Sequence, residues 1–166
     1  MYLHSQTGIV SLTDAHRRTL VAAGYNLRTL MLPASETRLR VRYAETDQMG
    51  VVYYANYLVW MEVGRVDFCK SRGFQYRDLE RDDGIYLAVV ESQCRYRYPA
   101  RYDDEVLVKT TVGDSSSRLI SFDYEMSLCE SGRILATGST RHIFVNRAIQ
   151  AVRLPRKYWA AFALSI

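Results

Sequence analysis

Residues 43 to 60 read YAETDQMGVVYYANYLVW. Within this stretch a carboxylate, Asp47, stands in a polar, turn-forming patch, with Gly50 three residues on and Asn56 nine residues on. The apolar, aromatic run that follows has helical spacing, so the patch falls at a helix N-terminus, where backbone N–H groups point outward without partners. Such donors can hold a developing oxyanion. A carboxylate within reach of the same spot can act as nucleophile, or as the base that activates water. The pair suits attack on an activated carbonyl such as a thioester. Asp47 can equally do no more than bond its own turn or cap a short helical turn, the commonest use of aspartate in such loops. Residue type alone leaves both readings open.

The elements around this corner are legible from periodicity. Upstream, ETRLRVRY alternates, with Leu39, Val41 and Tyr43 on one face and Arg38, Arg40 and Arg42 on the other, which predicts a strand with one buried face. Downstream, a helix is expected from Asn56, a favourable N-cap, to Gly73 as its C′ residue. Tyr57, Trp60, Met61, Gly64 and Phe68 form one stripe, and Leu58, Val59, Val63 and Val66 fill the other faces, so little of this helix should be exposed. Gly64 costs about 1 kcal/mol relative to alanine in mid-helix, which points to close packing there. FQYRDLERDDG reads as a polar connection, and four strands follow. In the first of them Cys94, Tyr96 and Tyr98 oppose Gln93, Arg95 and Arg97, and Pro99 ends it. Val106, Val108, Thr110 and Val112 face inward on the next; Ile120, Phe122, Tyr124, Met126 and Leu128 do so on the third. SGR then makes a tight hairpin into ILATGSTRHIFVN. An α+β fold follows, in which an antiparallel sheet of about five strands curls around one buried helix. Its uncovered edges predict pairing with further copies of the chain.

At 166 residues the chain is sized for one domain with a single core. Its net charge of +4 rests on nineteen arginines and three lysines spread along the whole length, which does not form a nucleic-acid stripe. So many guanidinium groups suit the holding of an anion such as phosphate, or simply reflect compositional bias. Cys69, Cys94 and Cys129 lack metal-type spacing and read as small apolar residues in a reducing compartment. No apolar run approaches the ~20 residues needed to span a membrane, and no secretory leader is evident, so a cytoplasmic location is expected. Residues 1–35 differ from the rest: SLTDAHRRTLVAAG can form one short helix, capped by Thr13 or Asp14 and stopped by Gly24. We expect this segment to be either a mis-assigned start ahead of Met31 or a loosely held extension without function, and residues 151–166 to be a C-terminal tail.

The stretch YAETDQMGVVYYANYLVWMEVGR resembles the signature of the hotdog-fold acyl-CoA thioesterases, in the branch that includes 4-hydroxybenzoyl-CoA thioesterase and the Tol–Pal-associated bacterial thioesterases. The branch motif runs Asp, two residues, Gly, an aliphatic pair, two mostly aromatic or His residues, one residue, then Asn or Ser and Tyr. Asp47, Gly50, Val51, Val52, Tyr53, Tyr54, Asn56 and Tyr57 fill it here. YRYPARYDDEVLV also resembles the family's second strand, turn and third strand, so the likeness covers residues 36–150. It implies a hotdog fold and hydrolysis of an acyl-CoA to free acid and coenzyme A, in a dimer or tetramer, with no metal or redox cofactor. It also implies that Asp47 matches the catalytic aspartate, as nucleophile or general base, and that the Tyr54 backbone N–H polarises the thioester carbonyl.

By the same resemblance Gly50 lets the backbone pass close to substrate, and Val51, Tyr53, Asn56 and Tyr57 fall at substrate-binding positions. Ser117 and Arg118, in DSSSRLIS, are the candidates for the coenzyme phosphates, which the family meets partly from a neighbouring subunit. Each has a plainer use: Gly50 as a turn glycine, Asn56 as the helix cap, Tyr53, Tyr57 and Trp60 as core, and Ser117 and Arg118 as a polar hairpin. Glu62 is expected to pair with Arg65, three residues on. His142 joins no nucleophile–base constellation. Two other functions use the same scaffold: hydrolysis of acyl groups from acyl carrier protein, whose thioester and phosphopantetheine arm are the same, and non-catalytic binding of acyl-CoA. A dehydratase would need a histidine beside the loop, and residues 44–56 contain none.

Overall fold

A computed structural model of the protein describes residues 33–162 and 164; the helix predicted within residues 11–24 lies outside them. Strand β1 (Ser35–Arg40) leads through the site loop to helix α1 (Asn56–Ser71). A second helix, α2 (Tyr76–Asp83), precedes β2 (Ile85–Tyr96), β3 (Glu105–Ser115), β4 (Leu119–Leu128) and β5 (Ile134–Asn146). These strands form one antiparallel sheet in the order β1-β3-β4-β5-β2, with α1 against its concave face. The predicted α+β architecture, a curled five-stranded sheet around one long helix, is the one observed. Strand adjacency is less sequential than the chain suggests. β2 pairs with β5, from Ile85 opposite Asn146 to Tyr96 opposite Ala136, and leaves its other edge unpaired. The segment between β2 and β3 crosses the end of the sheet and closes one wall of the site.

The alternating faces fall as read. Val106, Val108, Thr110 and Val112 on β3, and Ile120, Phe122, Tyr124 and Met126 on β4, are buried, while Leu128 packs at the margin. On α1 the stripe Tyr57, Trp60, Met61, Gly64 and Phe68 is buried with Cys69. Gly64 is where helix meets sheet: a Cβ there would come within 2.6 Å of Thr110 Oγ1 and 2.9 Å of Val108 Cγ1. The helix ends in a Schellman arrangement, with Gly73 at φ +70°, its N–H on the Lys70 carbonyl and the Phe74 N–H on that of Cys69.

Five expectations require correction. Tyr43 is 78% exposed, stacked edge-on against Tyr102, because β1 stops at Arg40 and the chain turns through a short 3₁₀ segment at Tyr43–Glu45. Asn56 is the first helical residue rather than the cap; Ala55 precedes it, and the Asn56 side chain is used elsewhere. Leu58, Val59 and Val63 are exposed in the single chain, since the sheet covers only one side of α1. FQYRDLERDDG contains α2, which carries one fully buried apolar residue, Leu79, and ends at Gly84 in the left-handed conformation. The predicted tail packs: Leu154 and Phe162 are buried, Phe162 meets the rings of Phe74 and Phe122, and Asp83 accepts a bond from the Tyr158 hydroxyl and pairs with Lys157.

His142 is fully buried on the concave face, with Nε2 2.8 Å from Thr140 Oγ1. Burial, aided by the nearby Arg65 charge, pushes its pKa down to about 3. Two measurements test this packing. Gly64→Ala should lower stability by about 1–3 kcal/mol in denaturant melts, because overpacking against β-branched neighbours outweighs the gain in helix propensity. The unfolded chain takes up a proton on His142 near pH 6.5, which the folded chain refuses until about pH 3. This contribution to stability is therefore complete above pH 6.5 and declines as pH falls through that window, by up to ~1.4 kcal/mol per unit. His142→Gln should flatten that part of the stability–pH curve, and an unchanged curve would contradict the assignment.

Candidate active site

Asp47 opens a tight turn closed by a bridge between Thr46 and Val52. The Asp47 N–H donates to the Val51 carbonyl at 2.9 Å, the Gly50 N–H donates to the Asp47 carbonyl at 2.9 Å, and Gly50 sits at φ +70°, which favours glycine. One carboxylate oxygen, Oδ1, accepts the Met49 N–H at 2.8 Å. The turn-bonding reading is therefore correct for that oxygen. Among the described residues the other oxygen accepts no hydrogen bond, and Asp47 lines a cavity of about 390 Å³. Bonding within the turn fixes the carboxylate while leaving its second oxygen without a donor among the described residues.

The opposite wall comes from the turns that lead into α1. The N–H groups of Asn56, Tyr57 and Leu58 bond back to the carbonyls of Tyr53, Tyr54 and Ala55. The Tyr53 N–H donates to the Glu45 carbonyl at 2.9 Å, whereas the Tyr54 N–H meets no acceptor among the described residues. Tyr54 and Tyr57 line the same cavity as Asp47, with Val51 and Val52 at its floor. Tyr57 is held by its hydroxyl, which accepts the Ala100 N–H at 3.1 Å, and by its ring against Trp60 and Tyr96.

Residues that the sequence reading passed over complete the site. Tyr96, Arg97, Tyr98 and Pro99, where β2 gives way to the crossing segment, form the third wall. The Tyr96 hydroxyl donates to the Tyr54 carbonyl at 3.1 Å, and burial is the main reason its pKa is pushed up to about 12. Arg101 reaches the Gly50 carbonyl at 3.5 Å, and Arg97 lines the cavity. Glu45 is the larger omission. Its buried carboxylate accepts the Arg42 N–H at 2.7 Å, Arg42 Nη2 at 2.9 Å and Trp60 Nε1 at 3.1 Å, and its carbonyl accepts Asn56 Nδ2 at 2.8 Å. Burial alone would raise the Glu45 pKa, but these donors outweigh it and leave the pKa lowered. The order ETD and an indole fifteen residues downstream of Glu45 were visible in the sequence, but nothing there said that they meet.

Not every predicted residue gathers here. Tyr53 is 45% exposed and stacks on Tyr54 outside the cavity wall, Trp60 is buried behind it, and Asn56 tethers the loop. Ser117 and Arg118 lie between β3 and β4, at the far end of β3 from the crossing segment, with their carbonyls on the backbone of Leu154 and Phe144. Glu62 and Arg65 form no ion pair, because Arg65 turns inward beneath Tyr76. Among the described residues no cluster of three or more His, Cys, Asp or Glu could hold a metal, and no helix is long and apolar enough to cross a membrane.

A curled antiparallel sheet around a central helix, with a carboxylate loop at the helix start, defines a thioester hydrolase of the hotdog fold. The chain belongs to the thioesterase-like superfamily, whose family model matches residues 41–162. It is 39% identical over 113 residues to YneP of Bacillus subtilis, covering 68% of this chain and 80% of that protein. To the acyl-CoA thioesterase YbgC of Haemophilus influenzae it is 28% identical over 125 residues, 75% of this chain and 90% of the other. The crystal structure of a DHNA-CoA thioesterase from Staphylococcus aureus superposes with a TM-score of 0.76 at 35% identity, covering 80% and 90% of the two chains.

Glu45→Gln should lower stability by about 1–2 kcal/mol by weakening the bonds from Arg42 and Trp60, with a larger fractional loss in turnover than in substrate affinity. Thermal melts with steady-state kinetics test this; a variant as active and as stable as the parent would remove Glu45 from the site.

Proposed function

We propose that the protein is an acyl-CoA thioesterase in which Asp47 either attacks the thioester carbonyl or activates the water that does so. The observation that carries this reading is that Asp47 and Tyr54 line one cavity, with the Tyr54 N–H lacking an acceptor among the described residues. If Asp47 attacks, the carbon–sulfur bond breaks to give a mixed anhydride and the coenzyme thiolate, and water then cleaves the anhydride. If it acts as base, water adds to the carbonyl as Asp47 takes its proton. The adduct then collapses with cleavage of the carbon–sulfur bond to free acid and coenzyme thiolate, which that proton neutralises. Either way charge develops on the carbonyl oxygen, where a preorganised N–H is most effective. The leaving thiol ionises near pH 8.5, so no strong general acid is required, and the proposal includes neither metal nor redox cofactor. Tyr57, Tyr96 and Val51 would receive the portion of substrate next to the thioester.

Arg97 and Arg101 are placed to meet the coenzyme phosphates from the same chain. Ser117 and Arg118 would do so only from a neighbouring protomer, given their position beyond the far end of β3. Self-association is part of the proposal. The free edge of β2 exposes Val89 and Val90, and the uncovered side of α1 exposes Leu58, Val59 and Val63, which together suit a dimer, or a tetramer built from two such dimers. The unpaired thiols of Cys69, Cys94 and Cys129 suit a cytoplasmic location.

A thiol-release assay over a panel of acyl-CoAs should show turnover in the parent protein and a loss of at least ~100-fold in Asp47→Asn with the fold intact by circular dichroism. Near-normal turnover in that variant would end the mechanism. Binding of acyl-CoA without release of thiol by the parent would make the protein a binding module, and offering acyl carrier protein as a competing carrier decides which thioester it prefers.

A further inference from the structure

A second cavity of about 390 Å³ lies between α1, α2 and the start of β2, and shares no lining residue with the Asp47 cavity. Arg65, Lys70 and Arg77 bring positive charge to its walls, against Glu62 and Glu80. Lys70 is 3.6 Å from Asp67 and Arg77 is 3.8 Å from Asp78, so both of those cations already have carboxylate partners. Arg65 does not. Among the described residues it makes no ion pair, and its Nε is buried without a hydrogen-bond acceptor. Glu62 lines the same cavity one turn earlier without closing a contact. The groups around the guanidinium are neutral: the Tyr76 ring, 6.0 Å from it, and the hydroxyls of Tyr76 and Tyr124.

Arg65 is half-buried, and a cation in that setting without a counter-ion attracts an anion. The cavity has the size of a small-molecule site, roughly 300–1,000 Å³, which is more room than a bare inorganic ion requires. Leu87 and Tyr76 add apolar surface to the lining. A planar guanidinium matches a carboxylate in a two-pronged contact. We infer that this cavity binds an organic carboxylate, a small apolar body with its charge on Arg65. The carboxylate has two available sources. One is a free acid, the chemical class that thioester hydrolysis releases. The other is the distal carboxylate of an acyl chain whose thioester lies at the site of a neighbouring protomer, a source that rests on the reaction proposed above.

Calorimetric titration of the whole protein with benzoate and with neutral benzamide tests the site. Benzoate should bind, and benzamide should bind about tenfold more weakly or worse, the fold-change expected for one charge-assisted contact. Arg65→Met should abolish that difference, and Arg65→Lys, which keeps the charge without the fork, should retain part of it. Absence of benzoate binding, equal affinity for the two probes, or unchanged benzoate affinity in Arg65→Met would overturn the inference. If Arg65→Met does not fold, Arg65→Lys and the benzoate–benzamide comparison on the parent decide it. In the thiol-release assay, a kcat/KM preference for glutaryl-CoA over valeryl-CoA that Arg65→Lys reduces assigns the carboxylate to the acyl chain. Benzoate binding without that preference assigns it to the free acid. Failure of hydrolysis altogether would count against the reaction at Asp47, while the calorimetry would still report on Arg65.

Discussion

The site loop is held to the helix by a buried carboxylate, and the remaining geometry depends on that attachment. Glu45 collects three donors on its side chain and two on its carbonyl, drawn from Arg42, Tyr53, Asn56 and Trp60. Those residues span the end of β1, the turns before α1 and the second turn of α1 itself. A buried carboxylate in this position would be strongly unfavourable without its donors, so the loop has one arrangement in which all of them are supplied. Asp47 and Tyr54 inherit their positions from it. Neither needs to be held by the substrate, which suits chemistry that relies on preorganised groups.

The sheet contributes through close approach and through a polar interior. Gly64 allows α1 to settle onto Thr110 and Val108, which fixes the height of the helix start over the sheet. Further along, the same helix sets Arg65, half-buried, against Tyr76 and Tyr124, and the nearby His142 is buried with its Nδ1 unpartnered. A core designed only for stability would place apolar residues at these positions. One end of α1 thus serves the Asp47 cavity, and the other keeps a charge at the edge of a second.

Membership of the thioesterase-like superfamily and the DHNA-CoA thioesterase superposition account for the shared frame. The fold supplies a helix start, a loop and an unpaired strand edge. The individual residues around the two cavities, Tyr96 and Arg97 in one and Arg65 and Tyr76 in the other, are where a particular acyl group would be distinguished.

Periodicity alone determined the strands, the buried stripe of α1 and the close contact at Gly64, because these follow from side-chain spacing along one element. The order Asp47, Gly50, Asn56, Tyr57 located the loop and allowed its chemistry to be stated. α2 was not recognised, since eight strongly polar residues with only Tyr76 and Leu79 as an apolar pair are too short a run to stand out from a connection. The use of Asn56 was misread for a related reason: an N-cap is a local preference, whereas its bond to Glu45 joins residues eleven apart through a turn. Only the tertiary structure decided that Glu45 rather than Asp47 anchors the loop, that Tyr96 and Arg97 wall the cavity, and that Arg65 faces inward instead of pairing with Glu62. Each of these depends on which segments the curl of the sheet brings side by side, and spacing within a single element contains no record of that.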